Sequence, residues 1–84
     1  MVGVMCVEQK IKQDFCIGKN IRALRNAAGL TQEQVAAKLQ VENVDITRDF
    51  YAHIESGAYN IRVSELAALR RIFNCSYDAF FQGI

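Results

Sequence analysis

A helix-stop signal followed at once by a helix-start signal constrains the fold of this chain more than any other sequence feature. Gly29 is suited to the left-handed position that ends a helix, and Thr31 with Gln34 forms a capping box that begins the next one. Because only Leu30 separates the two signals, two helices must meet in a tight turn. Apolar residues recur at three- and four-residue steps on both sides of it, so the pattern predicts an all-α fold.

We predict five helices, whose ends follow from capping residues. The first begins at Asp14 and stops at Gly29, and the second begins at Thr31. The third begins at Thr47 and closes at Ser56-Gly57. A fourth starts near Ser64, with Asn74 in the left-handed position after it, and Ser76 caps a short final helix. Residues 1–13 fit an edge strand and a helix equally well, so they form an N-terminal extension of undecided conformation before one helical domain, residues 14–84.

Composition excludes several classes of function. The 84 residues suffice for one small domain. Ten Lys and Arg against nine Asp and Glu give a net charge of +1, so bulk charge does not indicate a nucleic-acid partner.

Cys6, Cys16 and Cys75 are odd in number and widely spaced, which favours a reduced compartment, and with one histidine they make no metal site. We expect no cofactor and no membrane segment, and hence a cytoplasmic protein.

An enzymatic function is not expected. The chain has a single histidine, His53, no nucleophile beside a base, and no glycine-rich loop that would cradle a phosphate.

Three motifs in order then resemble the phage repressor and Cro-like family, also called the xenobiotic-response-element family. The first is Gly29-Leu-Thr-Gln-Glu-Gln-Val-Ala36, in which Val35 replaces the usual leucine. The others are Ile54-Glu-Ser-Gly57, which closes the third helix, and residues 65–81, which match the last two helices. The resemblance implies a lambda-repressor-like five-helix bundle, with an enlarged turn between the second and third helices.

The resemblance also implies a function and its residues. The third helix would enter the major groove of double-stranded DNA, in a sequence-specific transcriptional regulator that acts as a repressor and a homodimer. The base-reading residues would be Arg48, Asp49, Phe50, Ala52 and His53. The phosphate contacts would be Lys19, Arg22, Gln32, Thr47, Asn60 and Arg62. For Arg48 and Asp49 the alternative is an ion pair across a solvated helix start, and for the flanking cations it is ordinary surface charge.

Two further roles follow from the resemblance. Arg25 and Glu55 match a pair that many members use as an internal salt bridge between the first and third helices. The candidates for a dimer interface are Tyr77, Phe80, Phe81 and Ile84, which could instead cap the bundle. A regulatory protein partner is compatible with this reading.

A second hypothesis is a protein-interaction module that has kept the fold and lost DNA contact. The near-neutral charge, the enlarged turn, and Asp49 near the expected DNA face favour it.

Overall fold

The computed structural model describes residues 17–83, which form an all-α domain. Its α-helices are α1 (Gly18–Ala27), α2 (Gln32–Val41), α3 (Arg48–Ser56) and α4 (Val63–Phe73). The last predicted helix is a 3-10 helix, Tyr77–Phe81, so residues 17–83 contain four α-helices and the count of five is not confirmed. Helices of the 3-10 type occur in short pieces, as here. None of the helices within residues 17–83 is long and apolar enough to cross a membrane.

The starts of α2 and α3 follow their capping residues. Thr31 Oγ1 accepts from the Gln34 N–H at 3.1 Å while Gln34 Oε1 accepts from the Thr31 N–H at 2.9 Å, which confirms the capping box. Thr47 Oγ1 accepts from the Phe50 N–H at 3.2 Å at the start of α3. For α1 the prediction is wrong, because the helix begins at Gly18 with Ile17 in the N-cap position, and Asp14 lies outside the described residues.

Each α-helix ends at a residue in the left-handed conformation. Gly29 and Asn74 take this position as predicted, with φ values of 72° and 54°, and Gly57, which was predicted to close α3, takes it as well, with φ 84°. Asn43 takes it after α2, with φ 65°, which the sequence analysis did not anticipate. At Asn43 the chain turns back, and the Val44 N–H reaches the Leu39 carbonyl at 2.9 Å. Asparagine tolerates the left-handed region better than other non-glycine residues, so it can end a helix in this way.

The core lies between the helices and is closed at one end by the 3-10 helix. Tyr51 and Ile54 of α3 pack with Ile21 of α1 and Leu39 of α2, all with almost no exposed surface. Phe80 of the 3-10 helix is also completely buried in this cluster. Truncating a buried side chain of this size typically costs about 2–5 kcal/mol of stability, so these residues fix how the helices pack.

The enlarged turn between α2 and α3, residues 42–47, is tied to the domain at three points. Ile46 is buried in the core. Its carbonyl accepts from Gln40 Nε2 at 3.3 Å. Arg71 of α4 pairs with Glu42, with Nη2 2.7 Å from Oε1. The longer connection therefore forms part of the packed domain, and it sets where α3 begins.

Candidate nucleic-acid interface

An open cleft of about 730 Å³ lies where the N-terminus of α2 meets the exposed side of α3. Arg22 of α1 forms one wall, and Gln32 and Glu33 of α2 form another. Arg48 and Ala52 of α3 complete it. The lining is mainly polar, with three arginines and two glutamates when the buried Arg25 and Glu55 are counted.

The helical periodicity of α3 divides it into a buried side and an exposed side. Tyr51, Ile54 and Glu55 are buried. Every base-reading candidate lies outside that stripe: Arg48, Asp49, Phe50 and His53 are exposed and Ala52 is half-buried. The structure therefore brings the five candidates together on one helix surface that the core does not use.

Arg48 and Asp49 form an ion pair at the start of α3. Arg48 Nη2 lies 3.2 Å from Asp49 Oδ1, and the two side chains are 55% and 83% exposed. The alternative weighed from the sequence, a pair across a solvated helix start, therefore describes the free protein. A pair this exposed contributes at most about 1 kcal/mol, so both side chains remain available to another partner.

A buried network joins the cleft to the fold. Arg25 of α1 donates from Nε to Glu55 Oε2 at 2.6 Å and from Nη2 to Oε1 at 3.3 Å, and these side chains are only 12% and 4% exposed. Gln32 Nε2 donates to Oε1 of the same carboxylate at 3.0 Å. Because a carboxylate only accepts, the amide nitrogen of Gln32 must face Glu55. The network thus fixes the orientation of a cleft side chain.

The environment of Glu55 favours its charged form. Burial by itself raises the pKa of this carboxyl, but the hydrogen bonds from Arg25 and Gln32, with the nearby Tyr51 hydroxyl, outweigh burial and lower the pKa below its ordinary value. The carboxylate in turn raises the pKa of Arg25. Burial, assisted by Glu55, also raises the pKa of Tyr51. The pair is therefore ionised at neutral pH, and Tyr51 keeps its proton.

Of the six candidate phosphate contacts, two line this cleft. Lys19, Arg22, Thr47, Asn60 and Arg62 are exposed, and Gln32 is half-buried. Arg22 and Gln32 line the cleft itself, whereas Arg62 lines a separate hollow beside the enlarged turn. The capping box uses the amides of Thr31 and Gln34 and gives no partner to those of Gln32 and Glu33. N–H groups at a helix N-terminus that the cap does not use can donate to an anionic oxygen.

The predicted dimer-interface residues separate into two groups. Phe80 is completely buried in the core of its own domain, which matches the alternative that these residues cap the bundle. Tyr77 and Phe81 are 47% and 43% exposed, and Ile84 lies outside the described residues. Asn20 holds this end in place, because its Nδ2 donates to the carbonyls of Phe80 and Gln82 at 2.8 and 2.9 Å.

Two residues that matter here were missed from the sequence. Gly18 packs so closely on α3 that a Cβ would lie 2.1 Å from the Glu55 carbonyl oxygen. Tyr59, just after α3, packs its ring on Phe50. Neither contact has a local signature, since each joins a residue to an element whose position depends on the whole fold. In residues 17–83, no three His, Cys, Asp or Glu side chains come together as metal ligands.

The tight turn after α1, the connected pair α2 and α3, and the unpacked outer side of α3 define a helix-turn-helix protein. The chain belongs to the helix-turn-helix family of the Cro/C1 type, whose model matches residues 21–80.

The chain is also similar to an uncharacterized HTH-type transcriptional regulator of Rickettsia conorii (strain ATCC VR-613 / Malish 7), with 33% identity over 73 residues. The match covers 87% of this chain and 54% of the relative, so the chain spans about half the length of that protein. No solved structure shows a significant match to the chain.

Proposed function

We propose that this chain is a sequence-specific DNA-binding transcriptional regulator that reads the major groove with α3. The observation that supports it best is the outer side of α3, where polar side chains project away from the core beside the N-terminus of α2. An α-helix fits the major groove, and the first residues of a recognition helix lie closest to the base edges. The family membership and the name of the Rickettsia relative support the same function.

The side chains on α3 suit different base edges. Arg48 has the planar donors that match guanine O6 and N7. To bind a guanine it would give up its exposed ion pair with Asp49. Asp49 is an acceptor for the cytosine amino group. His53 and Ala52 extend the same surface toward the C-terminal half of the helix. Reading of this kind discriminates between bases, whereas bulk charge does not.

The phosphate contacts would hold the domain in register. Arg22 at the cleft and the first-turn amides of α2 would meet one strand. Lys19, Thr47, Asn60 and Arg62 would contact the backbone on either side. Such contacts contribute affinity and salt dependence but carry no base information.

The proposal includes a homodimer that represses transcription. One domain offers few phosphate contacts, and two domains on paired half-sites multiply the affinity. Tyr77 and Phe81 supply exposed aromatic surface at the C-terminal end, where the Arg70 guanidinium also lies 5.2 Å from the centre of the Tyr77 ring. Bound across a promoter, such a dimer would exclude polymerase.

The test is a selection of bound duplexes from a random DNA pool at about 50 mM salt, repeated at higher salt. We expect enrichment of a pseudo-palindrome whose half-sites are centred about one helical turn apart. Enrichment of single, unpaired half-sites would contradict the homodimer and leave the DNA-binding proposal intact.

The second hypothesis, a protein-interaction module, is favoured by one feature of the site. Asp49 is 83% exposed on the outer side of α3, and Glu33 lines the cleft, so two carboxylates would lie close to the phosphates of a bound duplex and repel them. If no duplex is retained even at low salt, this hypothesis replaces the proposal.

A further inference from the structure

Phe50 presents an aromatic ring to solvent on the helix that carries the base-reading candidates. It lies in the first turn of α3 and is 49% exposed. Successive residues of an α-helix are rotated by about 100° about its axis. Around α3, counted from the cleft, the order of the side chains is therefore Arg48, Ala52, Asp49, His53 and Phe50. Phe50 forms the last edge of this surface. The ring is thus apolar surface at the margin of a polar face.

Two other rings hold Phe50 in place. The Tyr59 ring meets it edge to face, with centroids 5.2 Å apart and planes at 76°. The His53 ring lies one turn along α3 at 6.2 Å and 66°. Edge-to-face contacts of this geometry are favourable, so the Phe50 ring is supported on two sides while its remaining surface faces outward.

Tyr59 is itself held in place by Glu65, a buried residue of α4. Its hydroxyl donates to Glu65 Oε2 at 3.4 Å, and Oε1 of the same carboxylate accepts from the Arg62 N–H at 2.8 Å. Glu65 is only 5% exposed. Burial and the Glu65 carboxylate raise the pKa of Tyr59, so the phenol remains the donor in this bond. A buried group in α4 therefore sets the position of a ring that touches α3.

We infer that the rings of Phe50 and Tyr59, here called the aromatic shelf, recognise the 5-methyl group of a thymine in the major groove. This inference rests on the proposed DNA-binding function and adds a base preference to it. Phe50 is the group that touches the base, and Tyr59 and Glu65 are positioning residues. Among the base edges of the major groove, only thymine offers an apolar group, and a ring without polar atoms gains nothing from the others.

The neighbours of the shelf favour DNA over a protein surface as its occupant. Asp49 precedes Phe50 on α3 and the His53 ring lies beside it, so polar side chains interrupt any apolar patch along this helix. A single methyl group needs no such patch, because its contact area matches one ring face.

The experiment varies one methyl group at a time in the selected duplex. At each thymine, binding is compared for thymine and uracil, which differ only by the 5-methyl group. The same position is then tested with cytosine and 5-methylcytosine, which differ by the same group in another base pair. Four proteins are used: the unaltered chain, Phe50→Ala, Tyr59→Leu, and Val41→Ala as a control that alters an exposed apolar residue at the far end of α2.

For the unaltered chain we expect one thymine in each half-site where loss of the methyl group weakens binding about fourfold, and where 5-methylcytosine exceeds cytosine by the same factor. Phe50→Ala should bind thymine and uracil equally, Tyr59→Leu should reduce the ratio with little change in binding of the uracil duplex, and Val41→Ala should keep it. Circular dichroism on the four proteins shows whether each is folded.

The outcomes separate the two proposals. If no duplex is bound, the proposed function fails. If a duplex is bound and no position responds to the methyl group, or if the response survives Phe50→Ala, the shelf assignment is overturned while DNA binding stands. A uniform loss in Phe50→Ala on every sequence would show a sugar or phosphate contact and would also overturn it.

Discussion

Arg25 Nε lies 2.6 Å from Glu55 Oε2, and this contact joins α1 to α3 beneath the proposed DNA-binding surface. The other carboxylate oxygen accepts from Gln32, whose side chain lines the cleft. One buried carboxylate therefore has two effects. It fixes the packing of α1 on α3, and it orients the side chain of Gln32 in the cleft.

Replacing Glu55 with Gln should destabilise the fold. The glutamine has the same shape but leaves Arg25 buried without a counter-charge, and removing one partner of a buried pair typically costs about 3–5 kcal/mol. Urea unfolding measures the loss. Glu33→Gln is the control, because this exposed residue of the same cleft should change stability by no more than about 0.5 kcal/mol. Equal stabilities for the two variants would show that the pair does not hold the helices together.

The same pair predicts an acid dependence of stability. Because the Glu55 pKa is lowered in the folded state, its contribution is fully present above the ordinary glutamate pKa of about 4.3 and is lost as pH falls through the lower folded value. The difference in unfolding free energy between the unaltered chain and Glu55→Gln should therefore shrink below about pH 4. Unfolding curves at several pH values test this, and a constant difference down to pH 2 would contradict it.

Gly18→Ala should disrupt the packing of α1 on α3. The new Cβ would lie 2.1 Å from the Glu55 carbonyl oxygen and 2.8 Å from that of Ile54, and backbone atoms cannot move aside as a side chain can. We expect a loss of at least about 3 kcal/mol.

Gly29→Ala separates this clash from backbone strain. A Cβ at Gly29 meets nothing within 4 Å, and only its φ of 72° opposes the change. A cost of about 1–2 kcal/mol is expected there. If Gly18→Ala proves the milder of the two in chemical denaturation, the close approach of the helices is not as described.

Arg48→Ala should weaken binding to the selected duplex by about 1–3 kcal/mol and relax the preference at one base pair, with unchanged stability. The side chain is 55% exposed and its ion pair with Asp49 is solvated, so folding should not depend on it. Fluorescence anisotropy with the selected and single-substituted duplexes measures both effects. Lys38→Ala is the matched control, because it removes one exposed positive charge from the far part of α2. Equal losses of DNA affinity for the two variants would show that Arg48 contributes only its positive charge.

Arg22→Ala should behave differently from Arg48→Ala. Arg22 lines the cleft from α1 and does not belong to the base-reading helix, so we expect a loss that is uniform across DNA sequences. The slope of log affinity against log salt should fall by about 1, as expected for one lost phosphate contact. A loss confined to one base pair would instead identify Arg22 as a base reader.

The helices could be predicted from sequence where their signals are local. Thr31 and Thr47 begin α2 and α3, and Gly29, Gly57 and Asn74 follow helix ends, because each acts on backbone groups within a few residues. The last helix was harder to predict: Tyr77–Phe81 has helical spacing, yet its five residues form fewer than two turns of 3-10 helix. For Phe80 both a dimer interface and a cap on the bundle stayed open, because its neighbours give no sign that it fills the core.

The site could be predicted only in part, because several of its contacts join residues that are far apart in the sequence. Periodicity placed the base-reading candidates on one side of α3, but it did not reveal that Gln32 donates to Glu55, 23 residues away. The positions of Gly18 against Glu55, Asn20 against Phe80, and Tyr59 against Phe50 likewise depend on how the helices pack. Contacts between distant residues leave no mark on the local pattern.

The most direct test of sequence-specific DNA binding is the affinity of the unaltered chain for the selected duplex against a scrambled duplex of equal length and composition, both at physiological salt. We predict that the selected duplex binds at least about 10³-fold more tightly, as is typical of specific protein–DNA complexes. Equal affinities for the two duplexes, or no binding of either at about 50 mM salt, would contradict the account.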